Sequence, residues 1–197
     1  MTAELPRITL EPLTPAERRA LLRLARHSIR AALVGEESPL QVTASRALNA
    51  PGAAFVSLHC GGHLRGCIGT LHAEKPLQET VVEMARSAAF ADPRFQPLDL
   101  DELSRVRIEI SRLSCLVPAR SEQVCPGVHG VSLTCGERRS VFLPQVATLY
   151  HWDRETLLTE LCRKAMLPPQ AWRWPETGLF VFTAEIFADE DPDTRPV

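Results

Sequence analysis

The chain has 197 residues, of which 45% are hydrophobic and 23% are charged. This composition suits one or two globular domains with a sizeable core, and the formal net charge of −2 favours neither a polyanion nor an anionic membrane as partner. No apolar run reaches the ~20 residues that span a bilayer, and the start Met1-Thr2-Ala3-Glu4 has no signal-peptide pattern. We therefore expect a cytoplasmic protein whose six cysteines are free thiols.

A capping box begins the first predicted helix. Thr14 and Glu17 suit reciprocal hydrogen bonds at a helix start, and Pro15 suits the first helical position. Apolar residues then recur at helical spacing until Gly35, where we expect the helix to end. Residues 54–60 and 63–71 predict two strands of a β-hairpin, joined by a two-glycine turn.

The rest of the chain mixes helices and strands without strict alternation, which favours the α+β class. Residues 76–89 predict a second helix, which should stop before Pro93 because proline disfavours helical backbone in the preceding residue. Residues 106–113 alternate between aliphatic and polar side chains, which predicts a half-buried strand. The further expected elements are short strands at 128–135 and 140–143, a helix capped by Asp153, a final strand at 179–187 and a disordered acidic tail at 189–197.

The first candidate for chemistry is Cys67, in the segment Leu64-Arg65-Gly66-Cys67-Ile68-Gly69. On an extended strand Arg65 and Cys67 point to the same face, so a guanidinium beside the sulfur could favour a nucleophilic thiolate. The other interpretation is a small buried cysteine packed between glycines, with Arg65 bound to a structural carboxylate. The residues alone leave both open.

Polar groups elsewhere could join the thiol. Glu109 and Ser111 share the polar face of their strand, where Glu109 could act as a general acid or base or simply be solvated. Asp92 and Arg94 follow a helix end. Asp92 could cap that helix, whereas the planar fork of Arg94 suits an anionic ligand. His129 is the histidine that we expect to assist the cysteine, although an ordinary loop histidine fits the sequence as well.

Two further patterns suggest other kinds of site. Histidines and cysteines crowd the predicted hairpin, but their spacing fits no standard zinc pattern, so we expect no metal. A stripe of arginines on the first helix could bind nucleic acid, but the net charge and the lack of interleaved aromatic residues favour an ordinary solvated face. The hairpin residues are His59, Cys60, His63, Cys67 and His72, and the stripe is Arg19, Arg23, Arg26 and Arg30.

Several blocks, in order, resemble the AMMECR domain family, which includes proteins grouped with Memo-like and radical-SAM proteins in AmmeMemoRadiSam systems. They cover roughly residues 15–188. The blocks are the hexapeptide around Cys67, Asp92-Pro93-Arg94-Phe95, Glu109-Ile110-Ser111, Phe142-Leu143-Pro144-Gln145-Val146, Trp152 and Leu161-Cys162-Arg163-Lys164-Ala165. Two departures, Cys60-Gly61-Gly62-His63 and Gly136-Glu137-Arg138-Arg139-Ser140, lie outside the motif cores.

The resemblance implies an AMMECR domain over 14–188, preceded by an extension at 1–13. It implies a larger α+β portion with a mixed or antiparallel sheet, a smaller subdomain and a cleft between them. Our leading hypothesis is an enzyme, or a component of an enzyme system, that acts on a small polar or anionic molecule through a cleft containing Cys67 and needs no cofactor of its own. The resemblance implies that it works with Memo-like and radical-SAM partners. The alternative is a non-catalytic module that binds a partner protein or nucleic acid. The expected catalytic residues are Cys67, Glu109 and His129, and the expected ligand-binding residues are Arg65, Gly66, Asp92, Arg94, Ser111 and Gln145.

Overall fold

A computed structural model describes residues 8–36 and 44–190. The chain divides into two compact units. The first comprises Glu11–Leu113 and the described residues from Glu185 onward, and the second comprises Ser114–Ala184 and the described residues up to Leu10. Each unit contains helices and a four-stranded sheet, which confirms the α+β class. None of the described helices is long and apolar enough to cross a membrane.

The first unit packs its helices on one face of its sheet. Its helices are α1 (Pro15–Val34), α2 (Arg46–Asn49), α3 (Leu77–Phe90) and α4 (Leu100–Leu103). Its strands are β1 (Ala53–Cys60), β2 (His63–Gly69) and β3 (Val106–Leu113), with the sheet in the order β2-β1-β3-β8, where β8 is Ala184–Ala188. The strand pairs β1–β2 and β1–β3 are antiparallel.

The second unit is built around strands β4 (Val117–Pro118), β5 (Gly130–Cys135), β6 (Arg138–Phe142) and β7 (Gly178–Phe182), in the order β4-β7-β5-β6. Helices α5 (Pro144–Leu149) and α6 (Arg154–Lys164) and two short 3₁₀ turns, Ser121–Gln123 and Ala171–Arg173, complete it. Its core contains the buried side chains of Leu157, Leu158 and Leu161 from α6 together with Val131 and Leu133 from β5.

The predicted local signals are confirmed in the first unit. Thr14 and Glu17 form the capping box of α1, and Gly35 ends that helix with a left-handed backbone (φ of 71°). Gly61 and Gly62 both have positive φ in the β1–β2 turn, as a tight hairpin turn of this kind requires.

Alternation divides the first sheet into two faces. Val106, Ile108 and Ile110 are fully buried in a core that they share with residues of β1 and of helices α1 and α3. The opposite face, here called the polar face, carries the intervening residues of three strands. These are Phe55, Ser57 and His59 of β1, Cys67 and Gly69 of β2, and Arg107, Glu109 and Ser111 of β3.

The predicted single strand at 179–187 is wrong. The segment forms two strands, β7 and β8, that belong to different sheets. The two strands are separated by Thr183, whose backbone N–H donates a hydrogen bond to the Ser114 hydroxyl at 2.9 Å. An aliphatic and aromatic run gives the same β signal throughout, so the sequence did not reveal the change of partner strand.

The ends of the chain are described only in part. Leu13, in the predicted extension, is buried in the first unit, and its N–H donates to Glu185 at 3.0 Å. Asp189, at the start of the predicted tail, accepts hydrogen bonds from Arg26 and from the Ile108 N–H. Residues 191–197 lie outside the described part, so their disorder stays a prediction.

A prediction follows from the packing of Gly66, which lies on the core side of β2. A methyl group at this position would lie 2.2 Å from the carbonyl oxygen of Ala88 in α3. Backbone cannot move aside as a side chain can, so Gly66→Ala should lower the free energy of unfolding by about 3 kcal/mol or more, measured by urea denaturation.

Gly178→Ala is the matched control for this substitution. Its added methyl would meet only side-chain atoms of Thr134 and Phe180, so its cost should be about 1 kcal/mol. Equal losses for the two variants would contradict a rigid contact between β2 and α3.

Candidate functional site

The site region begins with an irregularity in strand β2. Leu58 is paired with Gly66, and the next residue, His59, is paired with Leu64, so Arg65 is an extra residue without a partner in β1. A bulge of this kind interrupts the alternation of side chains between faces. The expectation that Arg65 would lie beside the Cys67 sulfur assumed an unbroken strand.

Arg65 is instead bound to the segment that follows α3. Its Nε and Nη2 atoms each lie 2.8 Å from a carboxylate oxygen of Glu102, and Nη1 donates to the Gln96 carbonyl at 2.8 Å. The hydrogen bonds to Glu102 raise the pKa of Arg65 and lower the pKa of Glu102. This arrangement corrects the assignment of Arg65 as the cation at the thiol, because its donors are occupied by structural acceptors.

The cation close to Cys67 is Arg94. Its Nη2 donates to the Cys67 carbonyl oxygen at 3.1 Å. The pKa of Arg94 is raised chiefly by hydrogen bonds to Asp92, and its interaction with the Cys67 side chain contributes to the same rise. The Arg94 side chain is 54% exposed, so part of the guanidinium faces solvent beside the thiol.

Asp92 is a buried carboxylate that binds both Cys67 and Arg94. Its side chain is only 1% exposed, and its Oδ2 accepts the Cys67 N–H at 2.9 Å and the Arg94 Nη2 at 2.6 Å. Its Oδ1 accepts the Arg94 Nε at 2.9 Å. Hydrogen bonds from the Arg94 guanidinium hold the pKa of Asp92 well below its usual range, and those from the backbone N–H groups of Cys67 and Arg94 add to this effect. The Asp92–Arg94 pair thus binds both backbone polar groups of Cys67 on the edge of the sheet.

Ser57 contacts the thiol from the neighbouring strand. Because the N–H and C=O of Cys67 point outward to Asp92 and Arg94, Cys67 and Ser57 form a non-hydrogen-bonded antiparallel pair, in which side chains lie close together. The Ser57 hydroxyl donates to the Cys67 sulfur at 3.2 Å, and Ser57 is only 6% exposed.

Glu109 and His59 continue the polar face beyond Ser57. Glu109 lies opposite Ser57 on β3, and its carboxylate forms an ion pair with Arg107 at 3.7 Å. His59 lies opposite Arg107. Burial lowers the pKa of His59, with Glu109 opposing this shift and Arg107 adding to it. The His59 Nε2 is buried and has no hydrogen-bond partner.

Other predicted site residues have different surroundings. Ser111 is 1% exposed and lies on the polar face opposite Phe55. Gly66 packs against the backbone of α3, which gives it a structural role. Gln145 lies on α5 of the second unit, whereas Cys67 lies in the sheet of the first unit.

His129 is a hydrogen-bonded histidine of the second unit. Its Nδ1 accepts the Cys125 N–H at 3.1 Å, and its ring also bonds to the backbone of Gln123. Burial lowers its pKa, which the bond to Gln123 partly opposes. Because both ring contacts hold the turn before β5, the arrangement favours a structural role over the catalytic role assigned from the sequence.

Sequence reasoning missed Ser57 and considered His59 only as a metal ligand. The available signal was the alternation of β1, in which Val56 and Leu58 are fully buried on the core side and alternate with Ser57 and His59. Alternation indicates the face, but only the register reveals which residue of a neighbouring strand lies opposite.

The remaining alternatives are also addressed by the structure. Arg26 donates to the carbonyls of Leu103 and Val106 at 2.9 and 2.7 Å and pairs with Asp189, so one member of the arginine stripe is held within the first unit. Within residues 8–36 and 44–190, no group of three His, Cys, Asp or Glu side chains could hold a metal ion. The hairpin histidines and cysteines therefore do not form such a group.

Two surface depressions lie at other positions. One of about 400 Å³ is in the second unit and one of about 340 Å³ is on the first. Neither includes a residue that the sequence predicted for the site. Their linings include Asp153, Arg154 and Trp172 in the first case and Lys75, Glu83 and Arg86 in the second.

Comparison with known proteins identifies the family. The AMMECR1 family profile matches residues 22–187. The chain belongs to the AMMECR1 family. It is 38% identical to a protein of Aeropyrum pernix, over 95% of this chain and 85% of that one, and 37% identical to a protein of Methanothermobacter thermautotrophicus, over 91% and 97%.

A solved structure agrees with the AMMECR1 fold. The chain is similar to the crystal structure of the uncharacterized protein PH0010 from Pyrococcus horikoshii, with a TM-score of 0.88 and 32% identity. The similarity covers 93% of this chain and 96% of that one. The resemblance inferred from the ordered motifs is thus confirmed over both units.

A second prediction concerns the buried carboxylate. Asp92→Asn removes the charge that Arg94 binds, and breaking a pair whose acid is buried should lower the free energy of unfolding by about 3 kcal/mol near neutral pH. The folded pKa lies below the unfolded value of about 3.9, so this stabilisation is present above that pH and is lost as the pH falls below it.

The difference between the wild type and Asp92→Asn should therefore be constant from about pH 7 to about pH 5 and shrink between about pH 4 and about pH 2, measured by urea unfolding. The exposed Asp101→Asn serves as control and should change stability by less than about 0.5 kcal/mol. A difference that stays constant with pH would show that the ion pair does not carry the effect.

Proposed function

We propose that the polar face around Cys67 binds a small polar or anionic organic molecule and that Cys67 is its reactive thiol. The observation that carries this proposal is the surroundings of the sulfur. A buried hydroxyl, that of Ser57, donates to it, and the half-exposed Arg94 guanidinium binds the carbonyl oxygen of the same residue. A hydroxyl donor at the sulfur and a nearby guanidinium are surroundings typical of reactive cysteines.

A fixed backbone supports the same proposal. Asp92 and Arg94 bind the N–H and the C=O of Cys67, and Gly66 fits against α3 with no room for a side chain. A reactive group held on a rigid strand keeps its orientation toward a ligand, which favours reaction over random encounter. A cysteine with only a packing role would not need hydrogen bonds from its N–H to Asp92 and to its C=O from Arg94.

The charge at the site limits the kind of ligand. Arg94 carries a positive charge, but Asp92 neutralises it at 2.6 Å, and Glu109 is likewise paired with Arg107. Net attraction for an anion is therefore modest, and recognition would rest on hydrogen bonds from the exposed part of Arg94. This balance supports a small molecule over a nucleic acid, whose binding depends on many unpaired cations.

Within this proposal, Glu109 is the carboxylate that can accept or donate a proton on the same face. It lies two strands from Cys67, a Cβ separation of about 10 Å by ordinary sheet spacing. A ligand of a few heavy atoms could reach both groups.

The family resemblance supports cooperation with Memo-like and radical-SAM proteins. The six free cysteines support a reducing compartment such as the cytoplasm.

The test is the reactivity of the six thiols toward iodoacetamide near neutral pH, followed by peptide mass spectrometry. Cys67 should be alkylated fastest, ahead of the exposed Cys115 and Cys125, which serve as internal references. Ser57→Ala removes the hydroxyl donor and should slow alkylation of Cys67 about fivefold, the effect of one hydrogen bond.

Ser132→Ala is the control, because Ser132 is an equally buried strand serine of the second unit. It should leave the rate at Cys67 unchanged. If Cys67 reacts no faster than the reference thiols, the nucleophile is excluded and the alternative of a non-catalytic binding module is favoured.

A further inference from the structure

The orphaned nitrogen of His59 is the feature of the polar face that the Cys67 chemistry leaves unexplained. Its Nε2 is buried and has no hydrogen-bond partner. Leaving such a group unpaired costs about 1–3 kcal/mol, and buried polar groups of folded proteins nearly always have partners. A partner that is absent from the chain itself is a reason to look for a ligand group.

The position of His59 relates it directly to the thiol. Ser57 lies opposite Cys67, and His59 is two residues farther along the same strand and on the same face. With strands ~4.8 Å apart and ~3.3 Å of rise per residue, the Cβ atoms of His59 and Cys67 are about 8 Å apart. Both side chains project from the same face, and their separation is within the length of a molecule of a few heavy atoms.

The charge around His59 indicates what kind of group it would bind. Burial lowers the pKa of His59, so the ring is neutral near pH 7 and Nε2 can form a hydrogen bond without carrying a charge. The charged groups that act on the ring are Glu109 and Arg107, and they form an ion pair with each other at 3.7 Å. A neutral imidazole beside a paired carboxylate and guanidinium suits a neutral polar group better than a second ion.

We propose that His59 binds, through Nε2, a hydroxyl or similar neutral polar group of the ligand whose other end contacts the Cys67 sulfur. This inference rests on the proposed function and narrows it. The ligand class becomes a small molecule that has a neutral hydrogen-bonding group within a few bonds of the atom that meets the thiol. Glu109 lies on the strand beside His59 and only partly opposes the effect of burial on the ring, so the neutral imidazole takes part through a hydrogen bond.

Disulfide exchange at Cys67 provides a direct test with defined probes. The thiolate attacks hydroxyethyl disulfide, the S–S bond of the probe breaks, a mixed disulfide forms, and one mercaptoethanol is released. Dipropyl disulfide is the matched apolar probe, because its tail has the same length and a methyl group in place of the hydroxyl. The equilibrium fraction of modified Cys67 is measured by intact-mass spectrometry against a fixed concentration of competing thiol.

The hydroxyethyl adduct should be favoured over the propyl adduct by about fivefold at Cys67, relative to the same ratio at the exposed Cys125, since one hydrogen bond contributes about this factor. His59→Phe keeps an aromatic ring but has no nitrogen, and it should abolish this preference. His63→Phe, at an exposed position of the same hairpin, should retain it. His59→Gln is the second variant and should retain part of the preference through its amide.

A measurement on the wild-type protein does not depend on how these variants fold. The ¹⁵N resonance of the His59 Nε2 should shift on formation of the hydroxyethyl adduct and stay in place on formation of the propyl adduct.

Equal stability of the two adducts, or a preference that survives in His59→Phe, would overturn the role of His59 while leaving Cys67 as the reactive thiol. Failure of every probe to modify Cys67 would instead count against the proposed function itself.

Discussion

The hydrogen bonds of one buried carboxylate hold the candidate site together. Asp92 accepts the N–H of Cys67 and pairs with Arg94, which in turn donates to the Cys67 carbonyl. Strand β2 is at the edge of its sheet, where backbone groups would otherwise be open to water or to another chain. The two side chains replace a neighbouring strand at this position, and they bring a cation to the thiol at the same time.

The division of the first sheet into two faces explains why this chemistry can exist in a small unit. The core face is filled by aliphatic side chains and by helices α1 and α3, and Gly66 allows close contact with α3. With stability supplied from that side, the other face can carry serine, histidine, cysteine and glutamate. Groups that would be costly in a core are acceptable there because they bind each other, as Ser57 binds Cys67 and Arg107 binds Glu109.

The arginines illustrate how context decides the role of a residue type. Arg65, Arg94 and Arg26 were each candidates for binding something outside the chain, and each makes hydrogen bonds within the first unit. Arg65 is occupied by Glu102 and carbonyl oxygens, whereas Arg94 remains half exposed after binding Asp92. The exposed part of Arg94 is what separates a possible ligand-binding group from a structural one, since a guanidinium has five donors and needs only some of them for its internal partners.

The sequence by itself determined the elements whose signals are local. The Thr14–Glu17 capping box, the positive-φ glycines of the hairpin and the alternation of β3 were all read correctly, because such signals depend on neighbours a few residues away. The ordered motifs also identified the AMMECR1 family. Those motifs also predicted that Cys67, Asp92, Arg94 and Glu109 share one candidate site.

Only the tertiary structure decided which side chains meet. One extra residue in β2 turned Arg65 away from the thiol, and the pairing of β1 with both β2 and β3 placed Ser57 between Cys67 and Glu109. The change of sheet between β7 and β8 escaped detection for the same reason. Strand register and partner choice depend on contacts between segments far apart in the chain, and a period-two pattern specifies a face without specifying what lies opposite.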